Sequence, residues 1–142
     1  MTFIVNDYID IALKSEADGI HLGQGDLSIV EARKIVGDKI IGISTHAIAE
    51  ARLAERQGAD YIGVGPIFRT ATKEDVVDPV SVSYVREVAQ SIQIPFVAIG
   101  GIKLHNVDEV IAAGATRICA ISEIVGSKDV RGTCEAFISK LK

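Results

Sequence analysis

Three groups of residues in this chain have the types and spacing to handle phosphorylated ligands. The first is the glycine pair in Ala98-Ile99-Gly100-Gly101-Ile102, at the end of an apolar run. Paired glycines there let the backbone approach a ligand closely and aim N–H groups at it. That suits a phosphate and equally serves a tight turn. Ser122, after Ile121, ends the next apolar run with a hydroxyl. The second group is Asp7 and Asp26, each just beyond an apolar run of its own. Two such carboxylates could share a Mg2+ ion, which is commonly held by one or two carboxylates plus substrate phosphates. They would equally suit the electropositive starts of helices. The third group is Thr70-Ala71-Thr72-Lys73, two hydroxyls and a cation following Gly65-Pro66. It fits a phosphate, a diphosphate or a solvated loop.

Histidines add a fourth kind of chemistry. His46 follows Ser44 after an apolar run and fits an acid–base group, a cap or a packing role. His21 falls inside an apolar run and reads as a core residue whose ring is satisfied by neighbours.

These residues need a frame to hold them. Short runs rich in Ile and Val recur at Phe3–Val5, Gly19–Leu22, Lys39–Ile43, Tyr61–Val64, Pro95–Ile99 and Arg117–Ile121. Continuous apolar runs of this length read as strands buried on both faces, as in a parallel sheet. Between them lie segments with helical spacing: Ile29, Ala32, Arg33, Ile35 and Val36; Ile48, Ala51, Leu53 and Ala54; Val107, Val110 and Ile111. Ser28-Ile29-Val30-Glu31 is a capping-box pattern at a helix start. Gly37, Gly58 and Gly114 fall where helices would end.

Alternate strands echo one another. Ala17-Asp18-Gly19-Ile20-His21-Leu22-Gly23 resembles Ala59-Asp60-Tyr61-Ile62-Gly63-Val64-Gly65, with a weaker copy at Ala115–Ile121. Odd and even strands play matching packing roles in a closed (β/α)8 barrel of the TIM type, whereas an open doubly wound sheet has no reason to alternate. The fold class expected is therefore α/β, a TIM-type barrel, with residues 1–142 as one domain. A full barrel has eight strands, so six imply that two are lacking. An uncovered parallel edge is a liability, which predicts a homo-oligomer or a partner chain over it. In such barrels the chemistry sits at the C-terminal ends of the strands, where all the residues above except His21 fall.

Composition narrows the partners. A net charge of −4 with both signs interspersed gives no basic stripe for nucleic acid or an anionic membrane. No apolar run approaches the ~20 residues of a membrane span. The opening MTFIVNDYIDIALK has no basic stretch before its apolar residues and does not read as a secretory signal. Cys119 and Cys134 read as two reduced thiols in a cytoplasmic protein.

The set of motifs resembles the thiamine phosphate synthase family. It comprises Val5-Asn6-Asp7, His21-Leu22-Gly23-Gln24-Gly25-Asp26, Gly42-Ile43-Ser44-Thr45-His46, Gly63-Val64-Gly65-Pro66-Ile67-Phe68, Thr70-Ala71-Thr72-Lys73, Ala98-Ile99-Gly100-Gly101-Ile102 and Ile121-Ser122. The likeness runs along essentially the whole chain, in order, and matches the third to eighth strands of the family barrel. It implies the joining of hydroxymethylpyrimidine diphosphate to thiazole phosphate with release of diphosphate. It also implies site roles. Asp7 and Asp26 would hold Mg2+ on the diphosphate, and Asn6 and Lys73 would contact that group. Ser44 would lie near the pyrimidine, with Ser44 and Lys73 as the catalytic pair. Thr70, Thr72, Gly101, Ile121 and Ser122 would bind the thiazole phosphate.

Two departures from the family pattern stand out. Arg69 replaces the proline usual before the Thr-x-Thr-Lys run. The family's first two strands, with a Gln-x-Arg-x-Lys stretch that grips the pyrimidine diphosphate, have no counterpart here, and no Arg or Lys occurs in the first thirteen residues. Losing one oxyanion-type donor can cost ~10²–10³ in rate, so this chain alone is expected to turn over weakly or not at all. Two alternatives follow. One is a thiazole tautomerase of the same fold, with His46 as the acid–base group. The other is a non-catalytic phosphate-binding remnant or subunit.

Overall fold

The computed structural model describes residues 1–70 and 78–142. They divide into two compact units, residues 1–63 with 92–95, and 64–91 with 96–142.

The first unit alternates strand and helix: β1(Ile4–Asn6), α1(Ile9–Lys14), β2(Gly19–Leu22), α2(Ile29–Val36), β3(Ile40–Thr45) and α3(Ile48–Arg56). Strand β4(Tyr61–Val64) follows, and its residues 61–63 belong to this unit. β1 pairs in parallel with β2, and β2 with β3. The apolar runs form these strands because both faces are covered: Ile20, Leu22 and Ile41 are fully buried. Ala12, Ile29, Ala32 and Ala51 supply the helix faces that cover them. Each fully buried Ile or Leu contributes ~1.5–3 kcal/mol. The Ser28 hydroxyl accepts from the Glu31 N–H while the Glu31 carboxylate accepts from the Ser28 N–H, so the expected capping box starts α2.

The second unit holds α4(Ser81–Ser91), β5(Phe96–Ile99), α5(Val107–Ala112), β6(Ile118–Cys119), α6(Ser122–Val125) and α7(Val130–Lys140). β5 and β6 are parallel, with Ala98 beside Ile118 and Ile99 beside Cys119. Val64, Ile67, Val85, Val88, Val107 and Val110 form its core.

Every expected strand is present, β2 and β4 with the expected ends and the other four with shifted ones. β5 begins at Phe96 because Pro95 has no N–H to give a ladder. β6 is only two residues long, because the chain turns at Ile121 into α6. β3 runs on to Thr45, so Ser44 lies within the strand and not after it. Among the described residues no helix is long and apolar enough to cross a membrane. Both cysteines are free thiols, and burial raises the Cys119 thiol above its ordinary value.

Candidate functional site

In the first unit a chain of side-chain hydrogen bonds converges on Ser44. His21 stands beside Gly42 in the β2–β3 ladder, and Ser44 lies two residues further along the same face of β3. His21 Nε2 is 2.9 Å from Ser44 Oγ, and its Nδ1 is 2.8 Å from the Tyr61 hydroxyl. In a neutral ring one nitrogen donates and the other accepts, so the imidazole links the two hydroxyls. Gly42 makes this possible, since a side chain there would overlap the Tyr61 ring. Gly63 also leaves room, because a Cβ would come within 3.3 Å of His21 Cε1. Gln24 Nε2 donates to the Ser44 carbonyl at 2.6 Å. Ser44 is thus held by both its hydroxyl and its backbone. The fully buried Thr45 donates its hydroxyl to the Gly63 carbonyl at 2.9 Å.

The two aspartates flank the end of β2. Asp7 follows β1 in the left-handed region (φ 66°), which aspartate tolerates better than most residues. Its N–H donates to the His21 carbonyl at 2.9 Å. Asp26 folds back on β2, its carboxylate accepting the Gly23 N–H at 2.6 Å. Both are exposed and neither joins an ion pair among the described residues. Asn6 ends β1 opposite His21, also exposed.

This donor set suits a magnesium ion shared with a ligand. The aspartates provide hard oxygens, and Mg2+ retains several waters and phosphate oxygens beyond one or two carboxylates. Among the described residues no cluster of three or more His, Cys, Asp or Glu side chains forms a self-sufficient metal cage. Such a metal would therefore depend on its ligand to complete its coordination.

In the second unit the loop after β5 presents two successive N–H groups, those of Gly101 and Ile102. Gly100 and Gly101 have φ values of 99° and 62°, and neither has space for a Cβ. A Cβ on Gly100 would stand 2.5 Å from Pro66 Cα, and one on Gly101 2.7 Å from the Arg69 carbonyl oxygen. The Ile99 carbonyl accepts from the Ile67 N–H at 2.9 Å, and the Gly100 carbonyl from the Phe68 N–H at 3.0 Å. The Gly101 carbonyl accepts from Asn106 Nδ2 at 3.0 Å. In a trans peptide the N–H points opposite to its carbonyl. Anchoring the Gly100 and Gly101 carbonyls therefore turns the N–H groups of Gly101 and Ile102 away from their anchors. The β5–β6 register turns the Gly100 N–H toward the Cys119 carbonyl, while the Gly101 and Ile102 N–H groups donate to no acceptor among the described residues. The exposed Ser122 begins α6, with exposed Ile121 before it.

The remaining expected residues are distributed as follows. Thr70 is half-buried and Arg69 exposed. Thr72 and Lys73 lie outside the described residues. His46 is half-buried, and its N–H donates to the Glu50 carboxylate at 2.7 Å, at the entry to α3. The sequence reading missed Tyr61 and Asn106, gave Gln24 no role, and took His21 as a satisfied core residue without naming what satisfies it. Its partners were the unread part, lying 23 and 40 residues away along the chain.

The comparisons with known proteins accord with this geometry. Residues 1–124 match the family model described as thiamine monophosphate synthase. The chain is 70% identical over 140 residues to a thiamine-phosphate synthase of Halalkalibacterium halodurans, covering 98% of this chain and 66% of that protein. It is 59% identical over 141 residues to the corresponding synthase of Shouchella clausii, covering 99% of this chain and 68% of that one. A solved thiamine phosphate pyrophosphorylase from Pyrococcus furiosus superposes with a TM-score of 0.90 at 38% identity, over 99% of this chain and 67% of that chain. The chain thus spans about two thirds of the length of these relatives. The fold class is α/β of the (β/α)8 barrel type, with six of its strands. With the family model spanning 124 residues and close relatives along nearly its full length, the chain belongs to the thiamine monophosphate synthase family.

Proposed function

We propose that this chain supplies the thiazole-phosphate site and part of the diphosphate site of a thiamine phosphate synthase. The observation that carries the reading is the pair of N–H groups at Gly101 and Ile102, which have no acceptor among the described residues. Backbone donors of this kind bind phosphate without net positive charge, in keeping with a chain of net charge −4. Gly101, Ile121, Ser122, Thr70 and Thr72 would receive the thiazole phosphate. Asn6 and Lys73 would contact the diphosphate of the pyrimidine substrate. Asp7 and Asp26 would hold Mg2+, which when bound lends positive charge to the departing diphosphate.

The reaction then runs by loss of diphosphate to leave a pyrimidine-methyl cation, which the thiazole nitrogen captures. The carbon–oxygen bond breaks with its electrons going to diphosphate, and the nitrogen lone pair forms the new carbon–nitrogen bond. No general base is needed, because the nucleophile is an aromatic nitrogen. Ser44, fixed by His21 and Gln24, would orient the pyrimidine. A tautomerase acting on thiazole phosphate would use His46 instead and leave the Asp7–Asp26 pair without a role.

Exposed Phe3, Tyr8, Ile11 and Leu13 support an association through the first unit, as a homo-oligomer or with a partner chain, measurable as solution mass. Small-molecule biosynthesis of this kind fits the cytoplasm.

Ligand-induced stabilisation tests the function directly. Thiazole phosphate should raise the melting temperature even without Mg2+, because binding to the native state alone adds RT ln(1 + [L]/Kd). No shift at millimolar ligand would remove the phosphate site. Product formation by the purified chain separates an enzyme from a binding remnant, and undiminished proton exchange on the thiazole in His46→Ala excludes the tautomerase.

A further inference from the structure

We infer that Asn106 is a positioning residue for the phosphate site, an inference that rests on the proposed reading of the loop after β5. Asn106 immediately precedes α5, yet its side chain makes no capping bond to that helix. Both ends of its amide are spent on the loop instead. Nδ2 donates to the Gly101 carbonyl at 3.0 Å, and Oδ1 accepts the Lys103 N–H at 2.8 Å. The orientation of the amide follows from its partners, since a carbonyl demands the NH2 end and an N–H demands the oxygen. The backbone turns tightly over the same span, with the Asn106 and Val107 N–H groups both donating to the Lys103 carbonyl.

This makes Asn106 the only side chain among the three carbonyl anchors. Ile99 and Gly100 are held by backbone N–H groups of Ile67 and Phe68. Among the described residues the Gly101 carbonyl has Asn106 alone, so the direction of the Ile102 N–H rests on that amide. Glycine at position 101 has a wide range of accessible backbone angles, which a fixed donor must restrict. A Glu123 oxygen accepts the Leu104 N–H at 3.4 Å, tying the same loop to the start of α6, where Ser122 lies. The loop is thus clamped on its own far side, while the Gly101 and Ile102 N–H groups have no acceptor among the described residues. Asn106 touches no ligand in this scheme; it acts through the peptide it holds.

Asn106→Asp isolates the bond to Gly101. It keeps an oxygen for the Lys103 N–H but sets a carboxylate oxygen against the Gly101 carbonyl. The experiment compares binding of thiazole phosphate with binding of its dephosphorylated alcohol, by calorimetry, to the wild-type chain and the variant. The expected result is a loss of tenfold or more for the phosphate ester with the alcohol unchanged within twofold. Equal weakening of both ligands, or no weakening of either, would overturn the inference while leaving the phosphate site intact. A wild-type chain that does not prefer the ester to the alcohol would overturn the phosphate reading and this inference with it. Should Asn106→Asp fail to fold, Asn106→Ala, which removes both bonds without adding charge, decides by the same ratio.

Discussion

His21 Nε2 lies 2.9 Å from Ser44 Oγ, so a side chain from the middle of β2 fixes the hydroxyl of the penultimate residue of β3. The other ring nitrogen is committed to Tyr61. Replacing His21 by Ala should remove the bonds to the Ser44 and Tyr61 hydroxyls, and a hydroxyl left unsatisfied where water cannot reach it costs ~1–3 kcal/mol. Urea unfolding of His21→Ala, Ser44→Ala and the double variant gives the coupling directly. A pair in contact should show ~0.5–3 kcal/mol of non-additivity, and strict additivity would mean the bond carries no energy.

Gly42→Ala tests how the network is housed. The new methyl would occupy the volume of the Tyr61 ring. The phenol must swing out and release His21 Nδ1. Overpacking of this kind costs ~1–3 kcal/mol. The variant should lose stability and, in its imidazole NMR signals, the Tyr61 bond.

Gly101→Ala should damage phosphate binding more than stability. A left-handed alanine costs ~1–2 kcal/mol, and its methyl meets the Arg69 carbonyl and Phe68. The loop must move, taking the N–H groups of Gly101 and Ile102 with it. Calorimetry with thiazole phosphate should show at least a tenfold loss. A variant that binds normally would show that these donors do not face the ligand.

Asp26→Asn separates charge from shape. An amide oxygen can still accept the Gly23 N–H, so stability should change by less than ~0.5 kcal/mol, as for surface substitutions generally. Enhancement of diphosphate binding by Mg2+ should disappear. If Mg2+ still strengthens binding to the variant as it does to the wild type, Asp26 holds no metal.

The acid side of the stability profile has an identifiable source among the described residues. Hydrogen bonds from the Ser28 hydroxyl, then from its backbone, hold the Glu31 carboxyl below its ordinary value of 4.5. A depressed carboxyl contributes its stability in full above the unfolded value and loses it as pH falls through the lower folded value. Glu31→Gln should therefore flatten the acid limb below ~4.5 and leave the slope above it unchanged. Urea midpoints measured from pH 3 to 7 check this, and an unaltered acid limb would argue against it.

The frame was legible because its signals are local. Ser28 and Glu31 sit three residues apart, and the apolar runs at Gly19–Leu22 and Tyr61–Val64 name their own strands. The positions of Asp7 and Asp26 beside the end of β2 followed from where those runs stop. The His21 network was not legible, since its three members lie on three strands. The only hints were glycines at 42 and 63, whose missing side chains make room for rings from elsewhere. Asn106 gave no signal, because both its bonds go to backbone atoms, which every sequence contains.

The anchored loop after β5 has a consequence for selectivity. Its donors are main-chain atoms, so they sense negative charge and are blind to whatever carries it. Phosphomonoesters in general should register there, and discrimination must come from side chains beyond the ester oxygen. Conversely, exchanging those outer side chains could change which molecule is chosen while the Ile67, Phe68 and Asn106 anchors stay as they are.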